Sequence, residues 1–204
     1  MKREPLQTAA LISGAGRTIR SLELSIHAQD IPVRIGVVIA HDEQLTGVRA
    51  CRELGLEVVI IPGPSGPQTS DLIDQVLLEH QTRLICLGGY LRKFRVGELW
   101  TNRVLNIHPA LLPDFGGQGM YGNRVHEAVL RSGCSQTGCT VHWVDEEYDE
   151  GKHLLQKSCP VRPDDDVDSL AARVFELECG AYPEALSMID HHQLEAGLCE
   201  ADRA

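Results

Sequence analysis

Short apolar runs alternate with segments of helical periodicity, and this alternation limits the folds open to the chain. The run from Val33 to Ala40 is almost wholly apolar, as expected of a strand buried on both faces. Repeated strand–helix units predict an α/β fold with a doubly wound, Rossmann-like, mostly parallel sheet and helices on both faces. Five strands are predicted, at residues 8–13, 33–40, 58–61, 84–87 and 104–108.

The last third of the chain has a different pattern. Residues 140–144 and 153–157 flank an acidic stretch, which predicts an antiparallel C-terminal strand pair, and a final helix begins near Asp165. No linker divides residues 1–190, so we expect a single domain there. We expect residues 191–204 to form a polar, poorly ordered tail. Side-chain caps are predicted for two earlier helices, at Ser70 and Asn123.

Charge and cysteine usage exclude several classes of protein. The formal net charge of −10 argues against nucleic acid as the main partner, because phosphate backbones require a basic face. No apolar stretch approaches the roughly 20 residues of a membrane span, and the first residues lack the apolar core of a secretory signal. The seven cysteines contain no Cys-x-x-Cys pair. We therefore expect reduced thiols, no metal and a cytoplasmic location.

The segment from Asn106 to Pro113 is the strongest candidate for chemistry. It follows the apolar pair Val104-Leu105, and Pro109 favours an extended backbone at the residue before it. Alternation along a strand places Asn106 and His108 on one face, about 7 Å apart. An amide and an imidazole thus lie at the carboxyl end of a strand, where open α/β sheets bind ligands.

A glycine turn follows the first strand and precedes a helix. Gly14 and Gly16 are followed by Arg17 and Thr18, and Ile19 occupies the position of the third glycine in a dinucleotide fingerprint. The turn either provides backbone N–H groups for a phosphate or is only a tight bend. A cation and a hydroxyl at the helix start favour phosphate.

One carboxylate interrupts an apolar row of the last helix. The row contains Ala171, Phe175 and Tyr182, and Glu178 lies where an aliphatic side chain is expected. A buried carboxylate needs a partner, so Glu178 is either ion-paired or in contact with a ligand.

Taken together, these residues resemble the formyltransferase family that uses 10-formyltetrahydrofolate, and within it the branch that formylates glycinamide ribonucleotide. The resemblance extends from Leu11 to Pro183, and the segment from Asn106 to Pro113 is its most specific part. The triplet Thr140-Val141-His142 and the Asp149-Glu150-Gly151 turn support it. The expected partners are therefore two small molecules, glycinamide ribonucleotide and 10-formyltetrahydrofolate, and the formyl folate is a co-substrate. We expect the protein to be a monomer or a homodimer.

The resemblance implies roles for particular residues. Asn106 and His108 would stabilise a tetrahedral oxyanion, and Asp149 would favour the imidazolium and order a water molecule. The substrate would be bound by Gly16, Arg17, Thr18 and Glu178. The folate would be bound by the backbone at Leu91, Arg92, Lys93 and Phe94, with Asn106 and the loop that begins at Asp145.

The sequence departs from the family pattern in two places. The glycine turn replaces the more usual Gly-Asn-Gly-Ser-Asn, and the segment from Pro62 to Ser70 lacks the arginine of many relatives.

Two alternative functions remain: a formyltetrahydrofolate hydrolase (deformylase), and a non-catalytic module that binds anions or nucleotides. A methionyl-tRNA formyltransferase would need a further domain and a basic surface.

Overall fold

A computed structural model describes residues 4–189, so the predicted polar tail at 191–204 lies outside the described residues. The helices and strands follow in this order: β1 Leu6–Leu11, α1 Arg17–Ala28, β2 Val33–Ala40, α2 Thr46–Glu53, β3 Val58–Ile60, α3 Pro67–Glu79, β4 Leu84–Leu87, β5 Val104–His108, α4 Asn123–Ser132, β6 Gln136–Trp143, β7 His153–Pro160 and α5 Val167–Met188.

All seven of these strands form one sheet in the order β3-β2-β1-β4-β5-β6-β7. The pairs from β3 to β5 are parallel, and β6 and β7 are added as antiparallel strands. The predicted fold is confirmed. The strand order reverses between β1 and β4, and the crevice at such a switch point is the usual ligand site of open α/β sheets.

Helices cover both faces of the sheet. Successive side chains of each parallel strand point to opposite faces, so both sets are buried. On one face, Ala10, Val38 and Cys86 pack against α1, α2, α4 and α5. On the other face, Leu11 and Ile85 pack against α3 and the segment containing Trp100. This double burial explains why the strands appear in the sequence as continuous apolar runs.

The long helix α5 is fixed against the end of β4 and the start of β5. Tyr182 is 1% exposed, and its hydroxyl lies 3.2 Å from the carbonyl oxygen of Leu87 and 3.1 Å from that of Leu105. The first turn of α5 is closed by a capping box between Asp166 and Ser169. This attachment places the middle of α5 beside the switch point.

Two predicted helix caps are wrong. Gly66 precedes α3, which begins at Pro67, and Ser70 lies inside the helix. Proline has the φ angle of the first helical position, so the helix starts one turn earlier than the hydroxyl suggested. Likewise, α4 is preceded by Gly122, and Asn123 is its first residue.

Every cysteine within residues 4–189 is a free thiol, at positions 51, 86, 134, 139, 159 and 179. In that part of the chain, no helix is both long and apolar enough to cross a membrane. Histidine, cysteine and carboxylate side chains form no group of three or more placed to hold a metal ion in the same range.

Candidate active site

A cavity of about 570 Å³ opens at the carboxyl ends of the central strands. It is lined by the turn after β1, the segment after β4, the end of β5, the glycine-rich loop with the start of α4, the loop after β6, and α5. Nearly all the residues selected from the sequence line it. They are Arg17, Thr18, Leu91, Arg92, Lys93, Phe94, Asn106, His108, Asp145, Asp149 and Glu178.

Asn106 is held by a histidine on the neighbouring strand. It lies opposite His142 in the antiparallel β5–β6 pair, and its Nδ2 is 3.1 Å from His142 Nε2. His142 Nδ1 lies 2.9 Å from the carbonyl oxygen of Trp143, so this nitrogen carries the proton and Nε2 accepts from Asn106. One N–H of the Asn106 amide is thus used, and the second is available to a ligand.

His108 is 3% exposed and has a neighbour at each ring nitrogen. Nε2 lies 2.8 Å from the carbonyl oxygen of Phe115, and Nδ1 lies 3.5 Å from Oδ2 of Asp149. Burial lowers the pKa of His108, although the charge of Asp149 and the Phe115 carbonyl act in the opposite direction. The charge of the carboxylate favours the imidazolium, but burial is the larger effect.

Asp149 belongs to the loop between β6 and β7 and has a φ angle of 60°. Its Oδ2 accepts a hydrogen bond of 2.9 Å from the backbone N–H of Gly117, and its Oδ1 is 3.5 Å from His142 Nε2. Burial alone would raise the pKa of Asp149. The nearby His142 ring, the charge of His108 and the Gly117 N–H outweigh it, so the net direction is downward. The carboxylate is ionised at neutral pH.

The turn after His108 is fixed by one buried hydroxyl. Thr140 Oγ1 donates to the carbonyl oxygen of Ala110 at 2.7 Å and accepts from the backbone N–H of Leu112 at 3.0 Å. Gln156 Nε2 donates to the same hydroxyl at 2.9 Å. These contacts join the turn to β6 and β7, and so hold His108 in place.

The glycine turn after β1 packs directly on the start of α2. Gly16 has a φ angle of 64°, and its backbone lies against Gly47, whose N–H donates to the carbonyl oxygen of Gly14 at 3.2 Å. Gly16 is buried beneath Arg17 and Thr18, which line the cavity. The first turn of α1 therefore borders the cavity, and its leading N–H groups have no acceptor within the helix.

Glu178 is half-buried and faces the same turn from α5. Burial raises its pKa to about 7, while the charge of Arg17 and a hydrogen bond from Thr18 favour the ionised form. One helical turn earlier, the ring of Phe175 lies under the Arg17 guanidinium, whose carbon is 3.9 Å from the ring centroid. Glu178 therefore has a cation nearby and also faces a ligand cavity.

The segment from Leu91 to Phe94 forms the opposite wall. The N–H of Leu91 donates to Ser13 Oγ at 3.0 Å, so this residue has only its carbonyl group left for a ligand. Arg92 donates to the carbonyl oxygen of Gly63 and thereby reaches the loop that lacks a basic residue of its own. Phe94 is 6% exposed and anchors the segment in the core.

The cavity residues that were not identified as site residues from the sequence include His142, Phe175 and His126. His142 was noted only within a family motif, and Phe175 only as part of an apolar row. His126 on α4 is 4% exposed, and its Nδ1 has no hydrogen-bond partner among the described residues. Burial lowers the pKa of His126, and the nearby His108 adds to that effect. The available signal was the presence of His142 in the predicted strand at 140–144 and of His126 in the predicted helix after Asn123.

An Asn–His pair, a loop carboxylate and a glycine turn at a helix start meet in one cavity at the sheet switch point. The sequence model of one family, described as formyl transferase, matches residues 6–186. The chain therefore belongs to the formyl transferase family.

Within that family the chain is similar to proteins named phosphoribosylglycinamide formyltransferase. It is 34% identical to the chloroplastic protein of Vigna unguiculata over 89% of its own length and 60% of the relative. The match to the Arabidopsis thaliana protein has the same identity and covers 92% and 66%. The chain thus spans less than two thirds of these relatives.

A solved structure of similar size matches over most of both chains. The glycinamide ribonucleotide transformylase 1 of Symbiobacterium toebii superimposes with a TM-score of 0.84 at 32% identity. The match covers 92% of this chain and 88% of the other.

Proposed function

We propose that the protein transfers the formyl group of 10-formyltetrahydrofolate to the amine of glycinamide ribonucleotide, a step of purine biosynthesis. The observation that supports this most is the position of Asn106, His108 and Asp149. They line one cavity together with Arg17 and Thr18 of the glycine turn and the backbone segment at 91–94. An amine bound near the glycine turn can meet a formyl carbon bound near that segment.

In the proposed reaction the amine nitrogen attacks the formyl carbon, and the carbonyl oxygen becomes an oxyanion. The free N–H of Asn106 donates to that oxygen. His108 is neutral at neutral pH, because burial lowers its pKa. It accepts the proton that the amine loses, and the imidazolium so formed stabilises the oxyanion together with Asn106. It then returns the proton to the folate nitrogen as the carbon–nitrogen bond breaks.

His108 can do this only if one of its two contacts is exchanged for the substrate. The Nε2 contact with Phe115 is short, whereas the 3.5 Å between Nδ1 and Asp149 is too long for a good hydrogen bond. We therefore assign Nδ1 to the substrate. Asp149 acts on the ring through its charge, which stabilises the imidazolium formed during proton transfer.

Substrate positions follow from the two ends of the cavity. The ribonucleotide phosphate binds at Gly16, Arg17 and Thr18, and the Glu178 carboxylate contacts the part of the substrate that carries the amine. The pterin of the folate binds along Leu91 to Phe94, with the Asp145 loop over it. Flat heterocycles with edge donors and acceptors suit such exposed backbone groups.

The test is an assay with 10-formyltetrahydrofolate in the presence and absence of glycinamide ribonucleotide. We expect formylated ribonucleotide and tetrahydrofolate in equal amounts, and no folate turnover without the ribonucleotide. Release of formate without the ribonucleotide would instead identify a deformylase, and no turnover at all would favour a binding module. The exposed His153 offers a matched control for variants of His108.

We further propose that residues 1–190 form one catalytic domain and that the protein acts in the cytoplasm, as a monomer or homodimer, without a metal. Light scattering of the purified chain distinguishes a mass near 22.4 kDa from twice that value. Activity that survives a chelator would support the absence of a metal.

A further inference from the structure

The Arg17–Phe175 stack lies in the cavity, and its Phe175 ring has no part in the proposed reaction. Arg17 is the first residue of α1, and its guanidinium carbon lies 3.9 Å from the centroid of the Phe175 ring on α5. The side chain of Arg17 is otherwise exposed, whereas Phe175 is half-buried. At exposed sites, attraction between a guanidinium and an aromatic face changes an equilibrium constant by about two- to fivefold.

The stack restricts a side chain that would otherwise be mobile. A free arginine side chain has high rotamer entropy, and much of it is lost when an anion immobilises the side chain. A guanidinium already held on a ring loses less on binding. Stacking also leaves the edge of the guanidinium, with its N–H groups, free to donate to a phosphate.

The position of the stack relates it to one end of the cavity. Phe175 and Glu178 are three residues apart on α5, so they lie on one face, and both line the cavity with Arg17 and Thr18. The N–H groups of the first turn of α1 are adjacent. Anion-binding groups of three kinds therefore converge here: helix N–H groups, a hydroxyl and a fixed cation.

We propose that Phe175 is a positioning residue, which holds the Arg17 guanidinium so that the cavity selects phosphorylated over unphosphorylated ribosides. This proposal rests on the proposed function, because it concerns the phosphate end of the same substrate. It also gives a role to the arginine that replaces a serine of the usual glycine-turn pattern.

The test uses ribose 5-phosphate and ribose as probes, so that binding is measured independently of formyl transfer. Phe175→Leu keeps apolar bulk but removes the aromatic face, and Phe175→Tyr keeps that face. We expect Phe175→Leu to weaken ribose 5-phosphate binding about two- to fivefold. Phe175→Tyr should bind like the unchanged protein, and the weak affinity for ribose should not change in either variant.

A second aromatic–arginine pair in the cavity provides the matched control. The Arg124 guanidinium lies 4.7 Å from the centroid of the Tyr121 ring. Tyr121→Leu removes a stack of the same kind away from α1, and it should leave the affinity for ribose 5-phosphate unchanged. An equal loss in this variant would overturn the proposal.

A double-mutant cycle tests whether Phe175 acts through Arg17. Lysine keeps the charge but lacks the planar group that stacks. In the Arg17→Lys background, Phe175→Leu should have no further effect on ribose 5-phosphate binding. If it costs the same in both backgrounds, or if the unchanged protein does not bind ribose 5-phosphate, the proposal is wrong.

The kinetics of formyl transfer give a separate readout. Phe175→Leu should raise KM for glycinamide ribonucleotide and leave kcat and the KM for 10-formyltetrahydrofolate unchanged. A merely structural role would alter both substrates together. If the unchanged protein binds ribose 5-phosphate but transfers no formyl group, the proposed function fails, and the binding experiments still decide the role of Phe175.

Discussion

Nδ1 of His108 lies 3.5 Å from Oδ2 of Asp149, and that same oxygen accepts the N–H of Gly117 at 2.9 Å. The carboxylate therefore connects the end of β5 to the glycine-rich loop that follows it. His108 Nε2 contacts the same loop at the carbonyl oxygen of Phe115. The Asp149 carboxylate therefore has two effects: its charge acts on His108, and its hydrogen bond to Gly117 fixes the loop around His108.

Replacing His108 by alanine should reduce kcat by about 10²–10⁴-fold, because a positioned acid–base group contributes that much to proton transfer. The KM values should change little, since the imidazole acts mainly in the transition state. Steady-state kinetics with both substrates measure this. His153→Ala, an exposed histidine on β7, should retain full activity. Equal activity of the two variants would contradict the assignment of His108.

Asp149→Asn should lower kcat by about 10²-fold and shift its pH dependence. The carboxylate raises the pKa of His108, so loss of its charge lowers that pKa further below the ordinary value. The limb of the kcat–pH profile that belongs to His108 should therefore move to lower pH. A profile identical to that of the unchanged protein would remove Asp149 from the mechanism.

Much of the fold could be predicted because apolar runs of strand length are bounded by charges or glycines. The bounds of β2 and β4 are confirmed residue by residue. The strand β6 begins earlier than predicted, at Gln136, because its first residues form a ladder with β7 that no apolar pattern records. Pairing partners and helix caps depend on tertiary contacts, so a pattern along one segment does not determine them.

The candidate site could be predicted where its residues occur together in the sequence. Asn106 and His108 lie on one strand, and alternation alone places them side by side. His142 requires the register between β5 and β6, and the Arg17–Phe175 contact requires the approach of α1 to α5. Sequence spacing does not determine such distances between separate elements.

Glu178→Gln should remove a pH dependence from the affinity for the ribonucleotide. Burial raises the pKa of Glu178 to about 7, so the carboxylate becomes protonated as the pH falls through that value. The unchanged protein should then lose affinity for glycinamide ribonucleotide below about pH 7, while the variant shows weak affinity at every pH. KM values between pH 6 and 8 measure this. The KM for 10-formyltetrahydrofolate is the internal control, and a pH-dependent variant would contradict the role.

Tyr182→Phe should lower the free energy of unfolding by about 1–2 kcal/mol, because the buried carbonyl groups of Leu87 and Leu105 lose a hydrogen-bond donor. Urea denaturation followed by circular dichroism measures the change. Tyr148→Phe, at a tyrosine with 39% exposure, should leave stability within about 0.5 kcal/mol. Equal stability of both variants would show that the Tyr182 hydroxyl does not hold α5 in place.

Gly47→Ala should disrupt the glycine turn without touching the catalytic residues. A methyl group at this position would lie 2.5 Å from the carbonyl oxygen of Gly14 and 2.8 Å from the nitrogen of Gly16, so the backbone of the turn must move. Displacement by about 1 Å is enough to misplace N–H donors, and the affinity for ribose 5-phosphate should fall about tenfold or more. Gly66→Ala is the matched control, since its methyl group meets nothing within 4 Å. Calorimetry on both variants decides the point: if Gly47→Ala binds ribose 5-phosphate as Gly66→Ala does, the phosphate does not bind at this turn.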